Sequence, residues 1–344
     1  MLLEAPYILI QKYHNIMALI GSLTSGVSAL ISFEKGMEVI GNNIANVNTT
    51  GFKTTRMQYA DAFSNILQAS TPPPASGNGS NTPAKQIGTG VQINSITSDF
   101  AQGTLTTTGS KTDIGISGPG FFRVRDSGNG FEYVTRAGNF RLDETGYLVT
   151  TDGFRVQGLN DGNATYDATV VGGTLTFTQT AIPPVALGDI KIDFGVTVGN
   201  GLTNSTGGAY TDAQIEAAAP KMQAYTVDNQ GSVIISLTNG EIVTRGKVLI
   251  QNFRDPNALV REGKNLFGNL TAAGPIGGVG MSAANNTPGL GGLGKLEIGT
   301  LELSNVDLSS EFANLIVTQR SFQAGSRIIT VSDTMLEEII NLKR

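Results

Sequence analysis

Apolar residues return every seven positions at both ends of this chain, and that period limits what its termini can become. Near the N-terminus Leu23, Leu30, Met37 and Ile44 form one column. Phe33, Ile40 and Val47, begun by the small Gly26, form a second column three residues on. Two such columns make the a and d seam of a coiled coil. A helix over Ala18 to Val47 would run about 45 Å at 1.5 Å per residue, and Asn46, Asn48 and Gly51 supply its stop. At the far end Leu308, Leu315, Phe322, Ile329 and Leu336 keep the same period. Their expected partner column is Phe312, Gln319, Ser326, Asp333 and Ile340, apolar only at its ends. Asp307 suits the N-cap, Glu311 the positive helix end, and Lys343-Arg344 the negative one. A single amphipathic helix is ordinary core material. Two of them, at opposite extremes and with no globular neighbour in sequence, are expected to pair with each other and with further copies.

The middle reads as strands. "TDIGISGPGFFRVRD" (Thr112–Asp126) places a Gly-Pro-Gly turn before Phe121-Phe122. Residues 131–158 alternate strands with turns at Ala137-Gly138-Asn139, Glu144-Thr145-Gly146 and Asp152-Gly153, and Asn239-Gly240 is the sharpest hairpin signal in 224–253. The fold class is therefore α+β: N- and C-terminal helices paired as a coiled coil, around a mainly antiparallel β middle. The expected division sets 17–60 and 300–344 as the helical domain and 61–158 with 223–299 as the β-rich middle. A small outer β insertion occupies 159–222, and Pro/Gly/Ser/Asn-rich linkers occupy 68–86 and 274–294. Residues 1–16 differ from the rest and are set apart as a leader or mis-assigned start. Their apolar patch, Tyr7 to Ile10, is too short to span a bilayer, and no small-residue cleavage site follows it.

Composition removes several function classes. There are 23 Lys and Arg against 28 Asp and Glu, a net charge of −5, without a basic block. Nucleic acid is not an expected partner. With no cysteine and a single histidine, His14, the chain cannot assemble a Cys/His zinc site, and a Ser-His-Asp triad would depend on the atypical leader. "GLGGLGKL" (Gly289–Leu296) has phosphate-loop spacing but puts Leu296 where Ser or Thr should hold magnesium. The Asn-rich run after Gly41 has only Glu38 nearby as a carboxylate, a poor calcium site. No catalytic residue, metal, cofactor or small-molecule substrate is expected.

Four blocks carry a family resemblance. "GNNIANVNTTGFKTTRMQYADAF" (Gly41–Phe63) closely resembles the N-terminal signature of the bacterial flagellar rod and hook axial proteins. "DIGISGPGFFRV" (Asp113–Val124), then "YVTRAGNFRLDETGYLVTTDGFRVQG" (Tyr133–Gly158), resemble that family's β segment. Residues 299–344 resemble its C-terminal helix signature. Together they lie at both ends and in the middle of the chain, in order. The resemblance implies a non-enzymatic structural subunit that self-assembles into a helical tube in the flagellum's hook and basal body. It implies export through the flagellum's own type III channel, without a cleaved signal peptide. It implies contacts with other axial and junction proteins, the hook cap and the export apparatus. The expected member is the hook subunit, a curved, flexible torque coupling. The straight distal rod is the alternative, and a secreted β-rich adhesin or enzyme the contrasting class. Rod proteins of the family are generally shorter, and hook proteins carry a larger outer insertion.

The residues expected to carry assembly are Leu23, Leu30, Phe33, Met37, Ile40, Ile44, Val47, Phe52, Leu308, Phe312, Leu315, Phe322, Ile329, Leu336 and Ile340. Phe52 and Tyr59 are expected as apolar anchors after the Asn/Thr/Gly turn, with Lys53 and Arg56 facing solvent or a neighbouring subunit.

Overall fold

The computed structural model describes residues 5–72, 80–160, 166–171, 174–179, 186–192, 196–197, 221–240, 242–278 and 280–341. They form two compact units. The first gathers Met1–Val47, Thr54–Asp99 and Val306–Arg344; the second gathers Asn48–Lys53 and Phe100–Asn305.

In the first unit, helix α1 spans Ala5–Ala45 and helix α2 spans Leu308–Asn341. Residues 5–16, set apart as a leader, continue the backbone of α1. Asp307 caps α2 as its position predicts: its carboxylate accepts the Ser309 N–H at 2.9 Å. The two helices pair antiparallel. Ser22 Oγ lies 3.2 Å from Ser332 Oγ near one end, and Asn43 Nδ2 donates to Glu311 Oε1 at 3.2 Å near the other.

After α1 the chain turns into β1 (Thr55–Asp61) and β2 (Ser64–Gln68), which pair antiparallel with β4 (Val91–Ser98) and β3 (Lys85–Gly88) respectively. This nested hairpin belongs to the helical unit, not to the β middle where residues 61–99 were expected. Side chains of α1 hold it there: Ser28 Oγ accepts the Val91 N–H at 3.3 Å, and the Phe33 and Tyr59 rings meet edge to face at 5.8 Å. The Pro/Ser/Gly/Asn stretch at 68–86 therefore joins β2 to β3 within one arm and is not a joint between helix and sheet. Its residues 73–79 lie outside the described ones.

The second unit is the β middle. Its strands before the insertion are β5 (Leu105–Thr107), β6 (Ile114–Ser117), β7 (Phe121–Arg125), β8 (Glu132–Thr135), β9 (Phe140–Leu142), β10 (Leu148–Thr150) and β11 (Arg155–Asn160). Within the insertion lie β12 (Tyr166–Val171), β13 (Thr174–Gln179), β14 (Ala186–Asp189) and β15 (Val196–Thr197). Then come β16 (Met222–Val227), β17 (Ser232–Leu237), β18 (Ile242–Val248), β19 (Ile250–Gln251), β20 (Val260–Gly263), β21 (Leu266–Gly268), β22 (Lys295–Ile298) and β23 (Thr300–Glu302). Among the described residues the main sheet runs β16-β17-β18-β11-β7-β8-β21-β20. Its neighbours are antiparallel, and the Asn239-Gly240 turn closes β17 onto β18 as predicted, with the Gly240 N–H donating to the Leu237 carbonyl at 3.0 Å. Alternation along the strands buries Ile114, Phe122, Val124, Val156, Val233 and Ile235 in one core. A smaller cluster stacks Phe121, Phe253 and Phe267. The strands nearest the two ends pair with each other, β5 with β23 and β6 with β22.

Two expected boundaries change. Residues 274–294 are not a linker: Met281 is buried, residues 283–286 form one helical turn, and the buried Asn286 donates to the Ile250 carbonyl at 3.1 Å. The insertion 159–222 is not one outer piece. β12, β13 and β15 make a small separate sheet, but β14 pairs with β11, and Ile190 and Ile192 sit in the main core. The reason is local: the two isoleucines flank Lys191, so in extended chain they share one apolar face. Asp189 beside them receives the guanidinium groups of Arg125 at 2.8 Å and Arg155 at 3.0 Å.

Burial alone pushes the Asp189 carboxyl up, but hydrogen bonds from Gln157, Arg155 and Arg125 outweigh it and hold it below the ordinary carboxylate range. Such a group adds stability that is complete above its unfolded value, about 3.9, and is lost as pH falls through its folded value. Asp189→Asn should lower the melting temperature by a few degrees (~4 °C) at pH 7, and the gap to the parent should narrow below about pH 4. A gap independent of pH, measured by thermal denaturation, would show that the carboxylate's charge is not what matters.

Candidate assembly site

The face that α1 and α2 share is built from small residues as much as large ones. On α2 the residues turned toward α1 are Leu315, Phe322, Ile329 and Leu336, all half-buried, alternating with Thr318, Gly325, Ser332 and Ile339. The expected partner column, Phe312, Gln319, Ser326, Asp333 and Ile340, is displaced by one position: Phe312 and Ile340 are exposed, as is Leu308. Close approach selects the smaller column. A Cβ on Gly26 would meet Ile329 Cγ1 at 3.1 Å, and one on Gly325 would meet Leu30 Cδ2 at 3.3 Å. On α1, Leu23, Leu30, Phe33, Met37, Ile40, Ile44 and Val47 are all half-buried, around the buried Gly26, Ser32, Gly36 and Asn43.

Asn43 explains part of the polar run that ends α1. Its amide works as a spare peptide group: Nδ2 donates to the Thr55 carbonyl at 2.8 Å, while Oδ1 accepts the Thr55 N–H at 3.0 Å. The last turn of α1 is thereby tied to the first residue of β1. Nδ2 also reaches Glu311 in the first turn of α2, as does the Thr54 hydroxyl at 3.4 Å.

The loop between them, Asn48–Lys53, belongs to the second unit. Gly51 has φ +69°, and a Cβ there would lie 2.6 Å from the Ala137 nitrogen, so both conformation and space exclude a side chain. Phe52 is buried as expected, with the Arg261 guanidinium 4.8 Å from its ring centre. Lys53, expected at the surface, is instead 1% exposed. Its ammonium donates to the Ala101 carbonyl at 2.7 Å and to Glu302 Oε1 at 2.7 Å. Glu302 Oε1 also accepts the Gly103 N–H at 2.8 Å, and Oε2 accepts from Arg136 Nη1 at 3.2 Å. The Glu302 backbone carbonyl accepts the Gly51 N–H at 2.8 Å. Burial lowers the Arg136 value, and Glu302 partly restores it. Arg261 donates to the Lys53 carbonyl, and Asn265 Nδ2 to the Thr50 carbonyl at 2.9 Å. A charged residue reads as surface in sequence, and nothing nearby marks its distant counter-ion.

Sequence reasoning also missed a second stripe on α2. Val317, Ser321, Ala324, Ile328, Val331 and Met335 follow the same three-four alternation, and the large members are about half exposed. Val27 and Ile31 of α1 are exposed, and so are Phe63, Ile66, Leu67 and Ile87 on the hairpin arm, Phe63 at 90%. No described helix is long and apolar enough to cross a membrane.

Comparison with known proteins gives three family matches in chain order. They are described as "Flagella basal body rod protein" over residues 23–53, "Flagellar hook protein FlgE/F/G D1 domain" over 115–235, and "Flagellar basal body rod FlgEFG protein C-terminal" over 298–342. The chain is 37% identical over 323 residues to the flagellar basal-body rod protein FlgG of Bacillus subtilis, covering 94% of this chain and 99% of that one. It is 27% identical over 449 residues to the flagellar hook protein FlgE of Borreliella burgdorferi, covering 94% and 99%. For the flagellar hook protein FlgE of Salmonella typhimurium the figures are 27% over 429 residues, covering 94% and 100%. Among solved structures, that of the Helicobacter pylori flagellar hook protein FlgE2 aligns with a TM-score of 0.35 at 9% identity, over 57% of this chain and 100% of that one.

The small-residue crossing makes a direct prediction. Gly325→Leu would force four extra carbons against Leu30, and overpacking of this kind costs about 1–3 kcal/mol. Helical circular dichroism of the assembled protein should melt at a lower temperature, while Gln323→Glu, at an exposed polar site off both stripes, should leave it unchanged. Equal effects from both would refute the seam described here.

Proposed function

Because this chain belongs to the flagellar rod and hook protein family, a structural and not an enzymatic family, we propose that it is the distal-rod subunit of the flagellum. The family polymerises into the axial structure of the flagellum, and this chain is one of its subunits. The finer assignment is carried by length. The alignment with the rod relative spans 323 positions at 94% coverage of this chain, so that relative holds hardly any residues that this chain lacks. The alignments with hook relatives stretch to 449 and 429 positions at the same coverage, so those proteins hold a large block that this chain lacks. A hook subunit was the expectation from sequence, resting partly on an insertion at 159–222. That support shrinks once β14, Ile190 and Ile192 are counted with the main sheet and core.

In this reading the helix pair forms the inner wall of a straight tube. The expected seam residues, from Leu23 to Val47 on α1 and from Leu315 to Leu336 on α2, carry the contact within one subunit. Exposed Leu308, Phe312 and Ile340 join the second α2 stripe in meeting neighbouring copies. Junction proteins and the export apparatus complete the partners.

Imaging basal bodies from a strain lacking this chain tests the assignment. A distal-rod subunit predicts a truncated rod with no hook attached. A full-length rod that merely lacks its hook would move the assignment to the hook.

A further inference from the structure

The seam within the first unit is nearly blind to sliding. On α1, Ser22, Ala29, Gly36 and Asn43 stand seven apart, and on α2 Glu311, Thr318, Gly325 and Ser332 do the same. The fold sets these two columns face to face. Ser22 meets Ser332 at one end, a Cβ on Gly36 would lie 3.5 Å from Thr318 Cγ2, and Asn43 meets Glu311 at the other end. Ala29 and Gly325 take the remaining layer by the same spacing. The large apolar columns beside them keep the same period. Sliding α2 by one heptad, about 10 Å, therefore returns small residues to small ones and apolar residues to apolar ones. Having no side chains, Gly26 and Gly325 permit the native offset but do not demand it.

One layer breaks the repeat. Asn43 is 1% exposed, and its Nδ2 donates to Glu311 Oε1 at 3.2 Å. A slip in one direction sets Asn43 opposite Thr318. A slip in the other carries it past Leu308, the first residue of α2. Both take the carboxylate away. The amide cannot swing to follow it, because the Thr55 carbonyl and N–H of β1 hold Nδ2 and Oδ1 at 2.8 and 3.0 Å. A buried polar residue in an otherwise repeating seam fixes register, at some cost in stability. We propose that Asn43 is a positioning residue for assembly: clamped to β1, its amide bonds Glu311 and so selects the offset at which α1 and α2 pair. Offset matters to a subunit that repeats. Every copy must present the exposed Val317, Ile328 and Val331 of α2 at the same height against α1. The inference rests on the assembly role of the helix pair, and not on the choice between rod and hook.

The chain has no cysteine, so the offset can be read with introduced disulfides. Ser22→Cys/Ser332→Cys reports the native offset, where the two hydroxyls lie 3.2 Å apart. Ala29→Cys/Ser332→Cys and Ala29→Cys/Thr318→Cys report slips of one heptad in the two directions. In the native pair both are about 10 Å out of line, too far for a bond. Mild oxidation of the full chain, followed by denaturing electrophoresis, should give the native intramolecular bond at least tenfold faster than either slipped one; equal rates would overturn the proposal. Asn43→Ala should slow the native bond at least fivefold and speed one slipped bond at least fivefold. Glu311→Ala, which leaves the clamp to Thr55 in place, should do the same, and it decides the matter if Asn43→Ala does not fold. Glu311→Gln keeps an acceptor for the amide and should behave as the parent. An effect as large as that of Glu311→Ala would trace the selection to charge and overturn the amide contact as its cause. An unchanged native rate in Glu311→Ala overturns the proposal. So does a slower native bond with no gain in either slipped one, which would show a general loosening of the pair. Slipped Asn43→Ala chains that polymerise at the parent's rate would overturn the role in assembly, while the family assignment stands.

Discussion

A carboxylate removed from water must be met by donors on nearly every side, and Glu302 obliges much of the second unit to arrange itself accordingly. Its two oxygens gather the Lys53 ammonium, the Arg136 guanidinium and the Gly103 amide. The other groups those partners carry then need their own acceptors: Ala101 for Lys53 and the Gly118 carbonyl for Arg136. Four segments far apart in sequence meet at one anion as a result. Burying ions costs several kcal/mol each before attraction repays it, and a buried pair often stabilises no more than an apolar replacement would. The gain is discrimination, because any arrangement that separates these segments leaves a charge unpaired in a dry site.

The helical unit is organised on the opposite principle. Its two helices approach through glycine and serine, so their shared seam is narrow and much of each helix stays outside it. On α2 the seam uses one three-four alternation, and a second runs alongside with Val317, Ile328, Val331 and Met335 left half exposed. A helix with apolar residues on two adjacent stripes is made to touch two neighbours. Among the described residues, α1 is one of those neighbours.

What the sequence disclosed follows from the range over which each signal acts. Heptad columns are local, so both helices and their pairing could be read, and so could the Asp307 cap and the Asn239-Gly240 turn. The second column of α2 was misplaced because apolar residues were sought where small ones were needed: Phe312 and Ile340 stand in solvent, and Gly325 and Ser332 make the contact. Composition misled at 274–294, where a Gly-rich text conceals a buried Met281 and an Asn286 bonded to the core, and at 61–99, where strands were assigned to the wrong unit. Lys53 could not have been placed at all. Its partner lies 249 residues away, and neither residue carries a local sign of burial.

The two units also differ in how far they are finished as folded objects. The β middle closes its own core, with Ile114, Phe122, Val156 and Ile235 essentially without exposure. Among its described residues the helical unit has no comparable core; its apolar residues there are mostly half-buried or exposed, and its arm is two strands wide. Isolated hairpins of that width are marginal in water, and isolated helix pairs gain most of their stability from packing. Binding that occurs only in the ordered state stabilises that state by mass action. The helices and arm are therefore the part that binding would stabilise most, and the β middle the part that depends on it least.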